Sequence, residues 1–369
     1  MEREPTVVMA ANSIWNINNF RAGLILGLAE GGFRTVVVAP GASGGDDRID
    51  IAIDRSGVNP LRDAALVFTY RRMLARVRPA AYLSFTIKPN IYGAIAARIA
   101  GVPSIPNVSG LGTAFLGSGQ MARFVSALYR IAFRRCAVVF FQNPDDRDLF
   151  IARRIVRPAQ ARLLPGSGID LDRFTPADAI DPANPTFLFI GRLLGDKGVR
   201  EYAEAARLVR DRLPEVTCQI LGPIDEDNRT AISRSELDRW VADGAIDYLG
   251  EAADVRPMIA RATAVVLPSY REGLPRTLLE GAAMGKPLIA TDVPGCREIV
   301  KHGVNGLLCA PRDPQSLAAA MVQLATMDAA GRDALGKASR ALVQLRFSEQ
   351  VIIDAYLEAL RTLPGFQTG

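Results

Sequence analysis

The stretch "TFLFIGRLLGDKGVREYAEAARLVRDRLPEVTCQILG", residues 186–222, decides the fold. Its ends, "TFLFIG" (186–191) and "VTCQILG" (216–222), are apolar runs of strand length. The intervening "VREYAEAARLVRDRL" (199–213) is helical in pattern, so the stretch reads as one βαβ unit with parallel strands. The rhythm continues through "IDYLG" (246–250), "AVVLP" (264–268), a helix from about Thr277 and "PLIAT" (287–291). It also runs through the first half of the chain, in "TVVMA" (6–10), "RTVVVA" (34–39), "AYLSF" (81–85), "VPSIPNV" (102–108) and "AVVFFQ" (137–142). There the helix "NNFRAGLILGLAEGG" sets Phe20, Leu24 and Leu28 four residues apart and ends at Gly31 and Gly32, which suit a left-handed exit. The class is α/β, with two doubly wound, Rossmann-like domains facing a cleft. A chain of 369 residues has the length for two such cores. The three prolines of "TPADAIDPANP" (175–185) interrupt the rhythm and mark the linker, giving domains 1–178 and 179–347 and a last segment 348–369.

Composition narrows the classes of function. With 49% hydrophobic and 22% charged residues the chain reads as globular, and no apolar run reaches the roughly 18–20 residues of a spanning helix. The opening "MEREPTVVMAANS" lacks the layout of a secretory signal, so a cytoplasmic location is expected. Cys136, Cys218, Cys296 and Cys309 lie far apart, and with one histidine, His302, there is no zinc-type ligand set. A net charge of +5 suits phosphate-bearing small molecules, an anionic membrane surface or nucleic acid, and composition does not choose among them.

In open α/β sheets the ligand lies beyond the carboxyl ends of the strands. Three charged loops fall there: "GRLLGDKG" after residue 190, "LGPIDEDN" after the next strand, and "PSYREGLP" near residue 268. In "EGLPRTLLE" the turn at Gly273 and Leu274 and the helix beginning near Pro275 or Arg276 offer backbone N–H groups and a positive dipole end to an anion. Glu280, one turn inside that helix, is placed to accept hydrogen bonds from a diol such as a ribose, and Glu272 on the loop from a second polyol. Arg192 and Lys197, beside Gly191 and Gly198, supply cations able to neutralise a leaving diphosphate without a metal. Together these groups suit a nucleotide-sugar.

"GRLLGDKG" followed by "LPSYREGLPRTLLEGAAMGKPLIATDVPGCREIVKHGVNGLL" resembles the donor domain of the retaining GT-B glycosyltransferases of family 4, whose hallmark is this E-x7-E pattern. "SFTIKPNIYGAIAARIAGVPSIPNVSGLGTAFLG" and "VVFFQNPDDRDLF" are similar to a subgroup that extends undecaprenyl-diphosphate-linked sugars in bacterial polysaccharide and glycan assembly. The resemblance implies an acceptor-binding first domain, a donor-binding second domain and a final helix, 348–363, that packs back on the first with Val351, Ile352, Tyr356 and Leu360 buried. It implies that Glu280 binds the donor ribose, that Glu272 with Gly273, Leu274 and the neighbours of Pro275 holds the donor sugar, and that Arg192 and Lys197 beside Gly191 hold the diphosphate. The partners implied are a nucleotide-sugar, a polyprenyl-diphosphate-linked acceptor and the cytoplasmic face of the inner membrane, with no nucleic acid, metal or other cofactor. Many relatives carry a histidine in the loop where this chain has "SGLGT" (109–113). Ser109 and Gly110 stand there instead, which leaves the contact to the sugar's outer hydroxyls open.

Rival readings remain. A nucleotide-sugar 2-epimerase shares the architecture but needs acid/base groups around the sugar, and a non-catalytic nucleotide-sugar binding protein would use the same residues. Lys88 in "TIKPN" stands where capping needs no cation, and its alternatives are the acceptor's phosphate or a surface charge. Asp145 and Asp146 read as helix-start acids, His302 as a surface residue in a turn, and Asp225, Glu226 and Asp227 as solvated. The segments 69–79 and 121–136 mix arginines with apolar residues, as membrane-surface helices do and as sheet-covering helices also do.

Overall fold

The computed structural model describes residues 4–54, 59–111, 119–176, 184–226, 228 and 230–364. The chain forms two compact units, 1–168 with 349–369 and 169–348. Among the described residues the first unit carries seven strands: β1 (Thr6–Ala10), β2 (Arg34–Val38), β3 (Arg48–Ile49), β4 (Ala81–Ser84), β5 (Ser104–Val108), β6 (Val139–Phe141) and β7 (Ala161–Leu163). They pair in parallel in the order β3-β2-β1-β4-β5-β6-β7. The second unit has β8 (Thr186–Ile190), β9 (Thr217–Leu221), β10 (Asp247–Tyr248), β11 (Ala264–Leu267), β12 (Leu288–Thr291) and β13 (Gly306–Cys309). Their order is β10-β9-β8-β11-β12-β13, again parallel. Every residue of β4, β5, β11 and β12 is buried, because crossover helices cover both faces of a parallel sheet.

The division falls at Gly168 and Ile169, ten residues before the boundary expected at 178. Burial explains the shift: Ile169 and Phe174 sit in the second unit's core, and Arg340 Nη1 donates to the carbonyls of Phe174 and Ala283, each at 2.6 Å. Within the linker 175–185, residues 177–183 lie outside the described residues. The four cysteines are buried free thiols. The helix expected from 18 to 32 is broken at Arg21 into Ile14–Phe20 and Ala22–Glu30, with the buried Arg21 guanidinium 4.4 Å from the Phe85 ring centre.

The last helix, Glu349–Arg361, belongs to the first unit and buries Ile352, Tyr356, Ala359 and Leu360, with Val351 half-buried. Tyr356 accepts a 3.0 Å hydrogen bond from Asn107 Nδ2 of β5. Its seat is a glycine seam. Gly23, Gly27 and Gly31 fall on one face at four-residue spacing, and side chains four apart on the last helix, Glu349, Ile353 and Leu357, fill the place of the missing Cβ atoms. At Gly27 an added Cβ would lie 2.5 Å from Ile353 Cγ2.

Gly27→Leu therefore overpacks the seam and should cost about 1–3 kcal/mol, lowering the midpoint of this unit by about 2–4 °C per kcal/mol. Ile353→Ala in the same chain should restore part of the loss. A double-mutant cycle by thermal denaturation checks this, and strict additivity would place the two residues out of contact.

Candidate active site

In both units the strand order reverses beside the first strand, between β1 and β4 and between β8 and β11. Neighbouring loops diverge at such a point and leave a crevice at the carboxyl edge. In the second unit the loop after β8 carries Gly191, Arg192 and Lys197, and the loop after β11 carries Glu272, Gly273, Leu274 and Pro275. Gly198, at φ +73°, lets the first loop lie against the second, since a Cβ there would overlap the Pro268 carbonyl. The Tyr270 amide donates to the Asp196 carbonyl at 3.0 Å and ties the loops again.

The structure brings Lys197 and Glu272 together directly. Lys197 Nζ donates to Glu272 Oε1 at 2.5 Å, and Ser269 Oγ donates to the same oxygen at 2.5 Å. The glutamate side chain is 11% exposed. Its backbone is held from below, where the Glu272 amide donates to the Pro294 carbonyl at 3.2 Å. Gly295, at φ +83°, packs so close that a Cβ would sit 2.6 Å from the Gly273 carbonyl oxygen.

Glu280 lies in the second turn of the helix Arg276–Ala283, with Pro275 at the N-cap making no side-chain capping bond. Arg276 Nε donates to Glu280 Oε1 at 3.1 Å, and the two side chains are 16% and 13% exposed. Burial raises the Glu280 carboxyl above the ordinary glutamate range, against the opposing pull of Arg276 and, more weakly, Arg173. Arg192 stands apart from this pair and donates through Nη1 to Asp225 Oδ2 at 2.6 Å. This corrects the expectation that Asp225 is merely solvated. Asp227 lies outside the described residues. The Gly191 amide is bonded to the Leu221 carbonyl at 3.0 Å, so this glycine serves the loop's exit from the sheet.

In the first unit, Lys88, Ser109 and Gly110 line one pocket of about 310 Å3 at the carboxyl edge, together with Asn12 and Thr86. Ser109 Oγ donates to the Phe85 carbonyl at 3.0 Å, which fixes this serine at the edge of the pocket. Lys88 Nζ donates to Asp63 Oδ1 at 2.8 Å, and the Tyr92 hydroxyl donates to Asp63 Oδ2 at 2.9 Å. Asp146 is buried at the start of the helix Pro144–Ala152, and the exposed His302 accepts from the Leu308 amide at 3.0 Å. Sequence reading missed Ser269, Arg276 and Asp63 as partners. Only Arg276 carried a local signal, its four-residue spacing from Glu280.

The family model described as "Glycosyl transferases group 1" matches residues 184–327, and "Glycosyl transferase 4-like domain" matches residues 17–166. The chain belongs to this glycosyltransferase family, and its enzymatic class is glycosyl transfer. It is 28% identical over 322 residues to the N,N'-diacetylbacillosaminyl-diphospho-undecaprenol alpha-1,3-N-acetylgalactosaminyltransferase of Campylobacter jejuni, covering 82% of each chain. It is 24% identical to the UDP-Gal:alpha-D-GlcNAc-diphosphoundecaprenol alpha-1,3-galactosyltransferase of Escherichia coli, over 72% of each. Its fold is that of Anabaena HepE, solved with UDP and glucose, with a TM-score of 0.76 at 21% identity over 97% of this chain and 100% of that one. Sucrose-phosphate synthase from Thermosynechococcus elongatus gives 0.81 at 18% identity, over 97% and 99%. The two parallel sheets are thus those of the GT-B glycosyltransferases.

A buried carboxyl with a raised pKa favours the fold when protonated, and that contribution is lost as pH rises through the raised value. Glu280→Gln should therefore melt above the parent at pH 8, and the gap should close as pH falls through the Glu280 pKa. Scanning calorimetry across that range checks the sign. A variant less stable than the parent at pH 8 would show that the Arg276 pair outweighs desolvation.

Proposed function

We propose that this enzyme moves a sugar, with retention of configuration, from a UDP-linked hexose or N-acetylhexosamine to a polyprenyl-diphosphate-linked sugar during bacterial surface glycan assembly. The observation that carries the reading is the pairing at the β8–β11 crevice: Lys197 with Glu272, and Arg276 with Glu280. Each acid is a polyol acceptor and each cation a phosphate donor, so the set matches both ends of a nucleotide-sugar. The activities named for the Campylobacter and Escherichia relatives support the acceptor class.

On this reading Glu280 takes the ribose hydroxyls and Glu272, with the Gly273–Pro275 turn, takes the sugar. As hydroxyls bind Glu272, Lys197 exchanges its carboxylate partner for a phosphate oxygen, and Arg192 swings from Asp225 to the same diphosphate. The bond from the anomeric carbon to the diphosphate oxygen breaks while the bond to the acceptor hydroxyl oxygen forms on the same face. The hydroxyl proton passes to the departing diphosphate. Lys197, Arg192 and the amino end of the helix Arg276–Ala283 stabilise the growing negative charge, which asks for no separate base and no metal. Lys88, Ser109 and Gly110 belong to the acceptor pocket of the first unit, with Lys88 leaving Asp63 for the acceptor's phosphate.

The acceptor's lipid tail calls for a membrane-facing surface. On the helix Gln120–Phe133, Met121, Phe124 and Ile131 are 46–50% exposed and form one stripe flanked by Arg123, Arg130, Arg134 and Arg135. On the helix Pro60–Val77, Leu61 and Phe68 are exposed near Arg71, Arg72 and Arg76. No helix of the described residues is long and apolar enough to cross a membrane. We assign both faces to peripheral contact with the cytoplasmic leaflet of the inner membrane.

Two experiments test the chemistry. Glu272→Gln should lower kcat more than it weakens nucleoside diphosphate binding, because the sugar's contacts change as the bond lengthens. Glu280→Gln should weaken that binding by about 1–3 kcal/mol. Titration calorimetry beside steady-state kinetics separates them, and the opposite pattern would exchange the two roles. Turnover should also survive EDTA, whereas loss restored by magnesium would refute the metal-free mechanism.

A further inference from the structure

A second cavity of the first unit, about 560 Å3, is lined by Arg130, Arg134, Arg154 and Arg157 over isoleucines 131, 151 and 155. Among the described residues no acidic side chain is in its lining. It lies away from the acceptor pocket. The helices Gln120–Phe133 and Pro144–Ala152 are crossovers from β5 to β6 and from β6 to β7, so their carboxyl ends return to the amino edge of the sheet. Ser109 and Gly110 follow β5 at the opposite edge, and a helix of this length spans about 21 Å.

Two of the four arginines have internal work. Arg130 donates from Nη2 to the Arg153 carbonyl at 2.9 Å and from Nε to the Arg154 carbonyl at 3.2 Å, and Arg157 Nε donates to Gln160 Oε1 at 3.1 Å. The side chains of Arg134 and Arg154 enter no ion pair among the described residues. Arg154 holds its place against a backbone preference. It is the residue after the C-cap of the helix Pro144–Ala152, at φ +52°, with its amide bonded to the Ile151 carbonyl and the Ile155 amide to the Phe150 carbonyl. Glycine is the favoured residue in that left-handed position, where a side chain is strained. A bulky cation there crowds three more around one hollow, an arrangement that suits a bound anion.

We propose that this hollow binds the phosphate headgroup of an anionic phospholipid. Ile131 belongs both to its wall and to the exposed stripe of the helix Gln120–Phe133, so the glycerol and first acyl carbons continue onto apolar surface. The arginine forks take the phosphate. This rests on the membrane-contact reading above and adds a discrete site: it anchors the far end of the helix whose other end adjoins the acceptor edge.

Flotation of the full chain with mixed phosphatidylglycerol/phosphatidylcholine vesicles tests it. Arg134→Gln with Arg154→Gly should weaken partitioning about 25-fold, about fivefold per arginine near the surface. A control pair on the second unit, Arg239→Gln with Arg261→Gln, should change it by about twofold or less. Arg154→Gly alone should melt no lower than the parent, which separates lost binding from lost fold. If the parent fails to bind anionic vesicles, the membrane reading and this site fall together, while glycosyl transfer stands on its own assay. If the parent binds and the arginine pair behaves like the parent or the control pair, the site alone is overturned. If inorganic phosphate at matched ionic strength raises the melting point through Arg134 and Arg154 without displacing the protein from vesicles, the hollow is a free-phosphate site and the lipid assignment is overturned.

Discussion

At the carboxyl edge between β8 and β11 two adjacent strands send their following chain in opposite directions, and everything at the candidate site follows from that divergence. The crossovers of a parallel sheet leave its strand ends uncovered, so the loops can meet only where a residue permits close approach. Gly198 and Gly295 are those residues. Once the loops are in register, Lys197 and Glu272, 75 positions apart in the chain, stand 2.5 Å apart.

That ion pair gives the site a defined electrostatic state. Neither charge is left facing a partly dry crevice alone, so the arrangement avoids the penalty of an unpaired buried charge. A ligand bearing hydroxyls and phosphate exchanges one set of charge-assisted bonds for another. Little net charge has to be desolvated when it enters, and the groups that must stabilise a leaving anion are already oriented. Glu280 is tuned differently. Its carboxyl is raised by burial and steadied by a neighbour on its own helix, which suits the ribose-binding role proposed for it.

Much of this was legible before any coordinates. The central strands announce themselves as unbroken apolar runs because both sheet faces are covered, and the charged loops after β8 and β11 stand out against those runs. The edge strands β3 and β7, two or three residues long, carry no such run, whereas the edge strand β10 falls inside "IDYLG", and β13 lies in a glycine-started segment that reads as a turn. Asp225 and Asp63 were invisible as partners because their bonds span 33 and 25 positions, and only folding brings them to Arg192 and Lys88; Ser269 stands three positions from Glu272, but in an irregular loop where no periodicity marks the pairing. The same limit explains the domain boundary. Prolines mark where a chain bends, whereas Ile169 and Phe174 join the second unit through burial that no local pattern records. Of the glycines at 23, 27 and 31, only Gly31 was read, as part of a helix end. Their spacing is equally that of a docking face, and nothing local distinguishes the two uses.

The glycine seam also sets an order of events during synthesis. The first unit's core includes Ile352, Tyr356 and Leu360, yet the ribosome must make all of Ile169–Ser348 before these residues exist. At ~5–20 residues per second that interval is roughly 10–40 s. For that time the nascent first unit holds a groove whose floor is bare backbone at Gly23, Gly27 and Gly31, with Leu24 and Leu28 beside it, and a segment made after the second unit closes a groove made before it.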